Sequence, residues 1–332
     1  MINIKSIKNI KVGISILFLS SMNMWSQTNI DQEKLKKLIR THDSLYASEI
    51  LIIHNDKEVC YWQDLDCKDK RFYTSSMLKS WTGLVFGTLV DKGIIKDLHQ
   101  KVCDWIPEWT DGCEKSVTIR HLLTMTAGFN RRGGAKGILA QEDNFTYLMS
   151  SKMERLPDSK WDYSNESVQL LGIILERASG MSTEEYFRKV LFDPIGMKNT
   201  NLVKDPSGKS WIVYGGAVTT IHEVAKIGQL ILNKGIWHGK RIISEEWLKM
   251  SFEPSKLAPY YGFLWWLDPK KYSKHNLLTA MGDPGNIMTV YPELKLIFVR
   301  SQVCENNDPK YSINAWSGVH IYDQIGDVLI QN

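Results

Sequence analysis

The sequence predicts an α+β fold: an antiparallel sheet flanked by helices is built from both ends of the chain, with an all-helical part inserted between them. Three observations predict it. Runs rich in β-branched and aromatic residues, separated by turn residues, fall near the start at 49–62 and again near the end at 261–300. Between them the apolar residues recur mostly at helical spacing. The composition, 43% hydrophobic and 23% charged over 332 residues, is globular, with length for one large core or two joined ones. The expected boundaries are a leader over 1–26 and one domain over 27–332. In that domain about 27–75 and 255–332 form the α/β part, and about 76–254 the helical part.

The leader has Lys5, Lys8 and Lys11, then the apolar Val12–Leu19, then small and polar residues up to Gln27. That is the layout of a secretory signal peptide, and its apolar centre is too short for a stable membrane span. The expected location is therefore periplasmic or secreted, with an uncleaved anchor as the alternative. The leader carries three of the formal net charge of +4, so the rest is close to neutral and calls for neither nucleic acid nor an anionic membrane as partner. In an oxidising compartment Cys103 could bridge Cys113, and Cys60 could bridge Cys67, with Cys304 left over or exchanged into a pair. There is no C-x-x-C pair and the histidines show no ligand spacing, so neither a metal nor a cofactor is expected.

Asp31–Arg40 predicts an amphipathic helix with Leu35, Leu38 and Ile39 on one face. Glu49–His54 and Glu58–Trp62 predict a hairpin turning at Asn55-Asp56-Lys57, with His54 a packed or exposed side chain rather than a ligand. Met77, Leu78, Trp81, Leu84, Val85 and Leu89 predict a largely buried helix to about Asp91, ended by Gly93. Thr118–Phe129 predicts a short helix closed by Gly128, and Asn130–Gly134 a loop whose Arg131 and Arg132 are solvated or meet an anion. Trp161–Asn165 opens a second apolar helix through Leu175; Asp193–Thr200 is a turn; Thr220 and Glu223 form a capping box for a helix through Leu232. The paired glycines Gly215 and Gly216 allow close backbone approach, to substrate or to a packed neighbour. Tyr261–Trp266, Leu277–Gly282, Ile287–Tyr291 and Leu296–Arg300 predict strands, and about 318–331 a closing helix. Trp265 and Trp266 should then face opposite ways, one into the core and one toward a pocket.

The chemistry centres on Ser76-Met77-Leu78-Lys79. A serine hydroxyl needs a base to become a nucleophile, and a lysine three residues on shares its helix face. Lys79 can accept the proton if desolvation or a nearby positive charge favours the neutral amine. Alone the pattern is weak, since a chain of this size offers roughly one by chance. Two further stretches supply the other parts of an acyl-transfer site. Tyr163-Ser164-Asn165 lies in a loop before a helix, with Tyr163 as base or acid and Asn165 able to hold Lys79 and a substrate amide, or merely to cap its helix. A strand ending at Ala280-Met281-Gly282 places the Asp283 N–H as second oxyanion donor beside that of Ser76. The alternative register through Asp283-Pro284-Gly285 uses the Asn286 N–H; the first is preferred because proline has no N–H to give mid-motif.

With these residues in place, the chain resembles the serine β-lactamase and penicillin-binding-protein superfamily on its class C side, which has Y-x-N beside S-x-x-K. Also similar are Ile119–Gly128, Leu171–Glu176, Pro194–Met197, Gly215-Gly216 and Tyr261-Gly262 before Trp265-Trp266. The resemblance implies the serine β-lactamase/DD-peptidase fold, with the site between its two parts. It implies Ser76 as acylated nucleophile, Lys79 and Tyr163 as the proton-handling pair, and no metal. Ala280 stands where the family carries Lys or His, the residue that helps hold a substrate carboxylate. That departure resembles the branch of esterases and 6-aminohexanoate-dimer hydrolases. The expected function is hydrolysis of a small-molecule ester, amide or peptide. Class C-type β-lactamase or D-alanyl-D-alanine carboxypeptidase activity is the alternative. A non-catalytic ligand-binding or sensor protein on this fold is the alternative of another class.

Overall fold

A computed structural model describes residues 30–64, 67, 71–130, 137–268, 275–302 and 321–329. The leader, Arg131, Arg132 and Cys304 lie outside the described residues. The architecture is α+β, as the patterning predicts. The main sheet has six antiparallel strands: β1 (Glu49–His54), β2 (Lys57–Gln63), β3 (Trp266–Asp268), β4 (Leu277–Gly282), β5 (Asn286–Tyr291) and β6 (Leu296–Ser301), in the order β2-β1-β6-β5-β4-β3. The two ends of the chain meet where β1 pairs with β6, from Glu49↔Ser301 to His54↔Leu296. The β1–β2 turn is tight because Asn55 and Asp56 both take positive φ, 50° and 60°, which suits the twist of the flanking strands.

Successive side chains of a strand point to opposite faces, so each strand feeds two cores. Leu51, Ile53, Ala280, Met288, Val290, Ile297 and Val299 join the large core shared with the helical part. Ile50, Ile52, Leu277, Tyr291, Leu296 and Phe298 join a smaller core on the other face. That second core is closed by Leu35 and Leu38 of helix α1 (Gln32–Ser44), capped by the Asp31 carboxylate, and by Ile325 and Val328 near the C-terminus.

The helical part is organised around α2 (Leu78–Asp91). It is buried at every position from Leu78 to Leu89, which explains why its sequence is apolar nearly all round. Helix α3 (Asn165–Ser179) packs across it, and Gly180 at φ +66° ends α3. Helix α4 (Ile221–Leu232) lies on the sheet, its Gly228 set against Ile297. Cys103 and Cys113 are disulfide-bonded with Cα atoms 4.9 Å apart.

Several local expectations are corrected. The helix after Thr118 covers only Ile119–Leu123, because Met125 turns the chain with φ +60° before Gly128 is reached. Thr220 does accept from Glu223 N, but the Glu223 carboxylate does not return to complete the box; it accepts from Asn199 N and the Thr200 hydroxyl instead. Of the expected strand at 261–266 only Trp266 joins the ladder, which continues through Asp268, since Leu264 takes φ +63° and breaks the extended run. Among the described residues the closing helix covers Ile321–Gly326 and ends there, ahead of the expected 331, while 318–320 lie outside the described residues. Cys60 is a free thiol while Cys67 is disulfide-bonded, so these near neighbours do not pair; burial pushes the Cys60 thiol up to about 12.

Candidate active site

The nucleophile turn is held from both sides before it turns. Phe72–Tyr73 pairs with Ala217–Thr219, and Thr74 N donates to Ala217 O at 2.8 Å. Ser75 takes φ +49°, and Ser75–Met77 form a 3-10 turn that runs directly into α2. Residues three apart are neighbours on a continuous helical run. Lys79 Nζ accordingly lies 2.8 Å from Ser76 Oγ, and it also donates to Tyr214 O at 2.6 Å. Lys79 is 1% exposed. The Tyr214 phenol is pushed up to about 12, mainly by burial, so it stays neutral.

Two glycines let other backbones reach this turn. A Cβ on Gly215 would stand 3.3 Å from Ser75 C. One on Gly282 would collide with Thr74 O and crowd Met77 N at 3.1 Å, so only glycine fits there. The end of β4 is thereby seated on the backbone that carries Ser76. Strand β3 stops pairing at Thr279, so Ala280, Met281 and Gly282 have β5 on one side and no strand on the other among the described residues. Ala280 is fully buried.

Tyr163 enters just before α3. Ser164 caps that helix by accepting from Ser167 N, so the cap is Ser164 and not Asn165. Lys79 Nζ lies 4.9 Å from the centroid of the Tyr163 ring. The ring stacks on Trp266 at 5.7 Å with planes 21° apart. Trp265 is fully buried in the core, whereas Trp266 is half-buried. Asn165 makes no hydrogen bond to Lys79; its Oδ1 is buried without a partner, leaving an acceptor beside Tyr163 that is still to be satisfied.

The turn from Gly282 to Asn286 is fixed from behind. The Asn286 side chain, fully buried, donates to Tyr73 O at 3.0 Å and accepts from Gln302 N at 3.0 Å. Arg300 is 1% exposed and donates to Gly285 O, to Gln302 Oε1 at 2.7 Å and to Leu45 O. Its acceptors are all neutral, and burial lowers its pKa to about 10, so it is charged at neutral pH. The Asp283 side chain is exposed.

Ser76, Lys79, Tyr163 and Gly282 therefore converge on one turn, with Asp283 next to Gly282 and Asn165 next but one to Tyr163. Three participants escape a reading of the sequence: the Tyr214 carbonyl, the Asn286 side chain and Arg300. The first is a backbone atom and carries no residue signal. Arg300 does leave a trace, a lone charge at the end of the apolar run Leu296–Val299.

A family model described as Beta-lactamase matches residues 37–307. Penicillin-binding protein 4* of Bacillus subtilis is 33% identical over 140 residues, 40% of this chain and 30% of that protein. Esterase EstB of Burkholderia gladioli is 30% identical over 156 residues, 41% of this chain and 39% of that protein. The chain thus spans well under half the length of these two relatives. Among solved structures, a Bacillus anthracis protein provisionally assigned as a 6-aminohexanoate-dimer hydrolase superposes with TM-score 0.72 at 20% identity, covering 89% of this chain and 83% of that one.

Proposed function

The chain belongs to the Beta-lactamase family, and from that premise we propose that it is an exported serine hydrolase cleaving an ester or amide bond through an acyl-enzyme on Ser76. The observation that carries the reading is the buried Lys79 amine 2.8 Å from the Ser76 hydroxyl. Burial withholds the solvation a charged ammonium needs and so favours an amine able to take a proton. Lys79 accepts the Ser76 proton as Oγ attacks the substrate carbonyl carbon. The N–H groups of Ser76 and Asp283 receive the oxyanion, and the seat of Gly282 on the Ser76 backbone supports that register over Asn286. Tyr163 gives a proton to the departing oxygen or nitrogen as the bond to the carbonyl carbon breaks. Water then attacks the acyl-enzyme, delivering its proton to the same pair, and Ser76 is released with the acid. Asn165 Oδ1 is available to accept from a substrate N–H or from that water. The alcohol or amine product leaves with the first half-reaction and needs no cofactor.

Ala280, in place of a basic residue on the strand edge, favours an ester or uncharged amide over a β-lactam or peptide carboxylate. Export is supported by the leader-like 1–26 and by the Cys103–Cys113 disulfide, which suits an oxidising compartment.

A fluorophosphonate probe should label the protein, and the label should vanish in Ser76→Ala. p-Nitrophenyl ester turnover should exceed nitrocefin turnover. Faster nitrocefin hydrolysis would move the assignment to a β-lactamase. A folded protein that takes no label and hydrolyses no ester, amide or β-lactam would be a binding protein instead.

A further inference from the structure

The residues beside Tyr163 form an ordered stack of rings. Tyr163, Trp266 and Tyr260 lie nearly parallel, with Trp266 between the other two: 5.7 Å and 21° to Tyr163, 6.4 Å and 12° to Tyr260. Trp161 stands edge-on to this row, at 5.3 Å and 79° to Tyr260 and 6.1 Å and 70° to Trp266. The buried Tyr261 closes the back, 5.0 Å from Trp266 and edge-on to it. The row begins at the ring beside Lys79 and ends at Tyr260, which is 41% exposed. It is therefore a continuous aromatic path from the nucleophile's base to the surface.

The path is also uncharged. Burial holds the Tyr261 phenol well above its ordinary range, with the neighbouring Tyr163 adding to the effect, so it stays neutral. The nearby Asp162 carboxylate is taken by Arg155 and, at 3.5 Å, by Lys160. Rings in offset or edge-on arrays bind flat or long apolar groups, and they give an anionic group nothing to replace its water.

We propose that Trp266, Trp161 and Tyr260 form the leaving-group subsite of this enzyme, and that it takes an aromatic or long-chain apolar alcohol or amine portion without negative charge. This rests on the acyl-enzyme reading with Tyr163 as proton donor. A donor must reach hydrogen-bond distance of the departing atom. The departing group is therefore placed against whatever flanks Tyr163, and that is the ring row. The acyl group, attached on the other side of the carbonyl carbon, extends away from it.

The test uses two ester series on the wild-type protein, Trp266→Ala and Tyr260→Ala. One series keeps an acetyl group and varies the alcohol from ethyl to hexyl to 2-naphthyl. The other keeps p-nitrophenol and varies the acyl chain from acetyl to octanoyl. Trp266→Ala should cut the naphthyl-to-ethyl ratio of kcat/KM about tenfold, and Tyr260→Ala about threefold, with acyl-chain selectivity changed less than about twofold. Tyr260 is exposed and is not in ring contact with Tyr163, so its variant keeps the test decisive if Trp266→Ala misfolds. Loss of acyl-chain selectivity with the alcohol ratio intact would overturn the assignment, as would equal losses on every ester. Fluorophosphonate labelling of each variant separates the two failures. A labelled, active wild-type enzyme without alcohol selectivity refutes only the subsite, whereas a wild-type protein that neither labels nor turns over an ester refutes the acyl-enzyme reading and the subsite with it.

Discussion

Lys79 and Arg300 are each 1% exposed and lie on opposite sides of the sheet, Lys79 on the nucleophile turn that meets Gly282 and Arg300 behind the Gly282–Asn286 turn. Gly282 and Asn286 face the large core, where Thr74, Ser75 and Met77 meet them. Arg300 shares its face with Phe298 in the smaller core beneath α1. Both side chains donate to backbone carbonyls, Lys79 to Tyr214 O and Arg300 to Gly285 O and Leu45 O. Equal burial has different consequences because the groups differ. A lysine amine can shed its proton when desolvated, whereas a guanidinium keeps its charge and offers a planar fork of donors. The front of the turn thus holds a group that can exchange a proton with Ser76. The back holds one that can only brace.

The largest effect should come from making the front like the back. Lys79→Arg keeps a hydrogen-bonding end but carries a fixed positive charge and cannot act as a base. A fall in kcat/KM for p-nitrophenyl acetate of about 10²–10⁴-fold is expected, the range for losing a general base. Thermal melting of the same variant reads the folding cost separately. A Lys79→Arg enzyme retaining more than about a tenth of its activity would remove Lys79 from the proton transfer and leave it, like Arg300, a brace.

The converse exchange at the back should be milder and different in kind. Arg300→Lys retains charge but cannot serve Gly285 O, Gln302 Oε1 and Leu45 O together, leaving buried acceptors unsatisfied at about 1–3 kcal/mol each. A net loss of about 2 kcal/mol, lowering Tm by about 4–8 °C, is expected. If bracing sets the oxyanion donor, kcat should fall about tenfold while KM and the pH–rate profile keep their form. A fall in Tm with kcat unchanged would confine Arg300 to stability.

The same contrast explains what can be read from the sequence. Ser76 and Lys79 are three apart on one element, so local geometry alone brings them together, and spacing reveals them. Tyr163 is legible because a polar triplet precedes an apolar helix. The alternating strands at both ends reveal the sheet and its position. The support of the turn is not legible: Leu45, Gly285 and Arg300 are far apart in the chain and meet only through the β1–β6 and β5–β6 pairings. The sequence suggests Asn286 for its N–H, yet the structure employs its side chain, because the ladder places it opposite Gly282 and within reach of Tyr73 O. The aromatic run at 261–266 reads as one strand, since a period-2 pattern does not record that Leu264 has positive φ.

The last effect, absent at neutral pH, concerns His42, which lies on the α1 side with Arg300. It is fully buried, neither ring nitrogen has a hydrogen-bond partner, and its pKa is lowered to about 3, first by burial and then by the charge of Arg300. The folded pKa lies below the ordinary value of 6.5, so His42 has no effect on stability at pH 7 and above. As pH falls below 6.5 the unfolded chain takes up a proton that the folded one refuses. Stability should then drop by up to about 1.4 kcal/mol per pH unit until pH nears 3. Between pH 7 and pH 5 that amounts to about 2 kcal/mol, measurable by urea unfolding at the two pH values. His42→Leu should remove this part of the acid slope, and Arg300→Met should shrink it by letting His42 protonate more readily in the folded state. Arg300→Met and wild-type protein with the same slope would mean that the guanidinium does not reach His42 electrostatically. The brace would then act through its carbonyl partners alone, whereas a reduced slope would show its charge felt across the back of the turn.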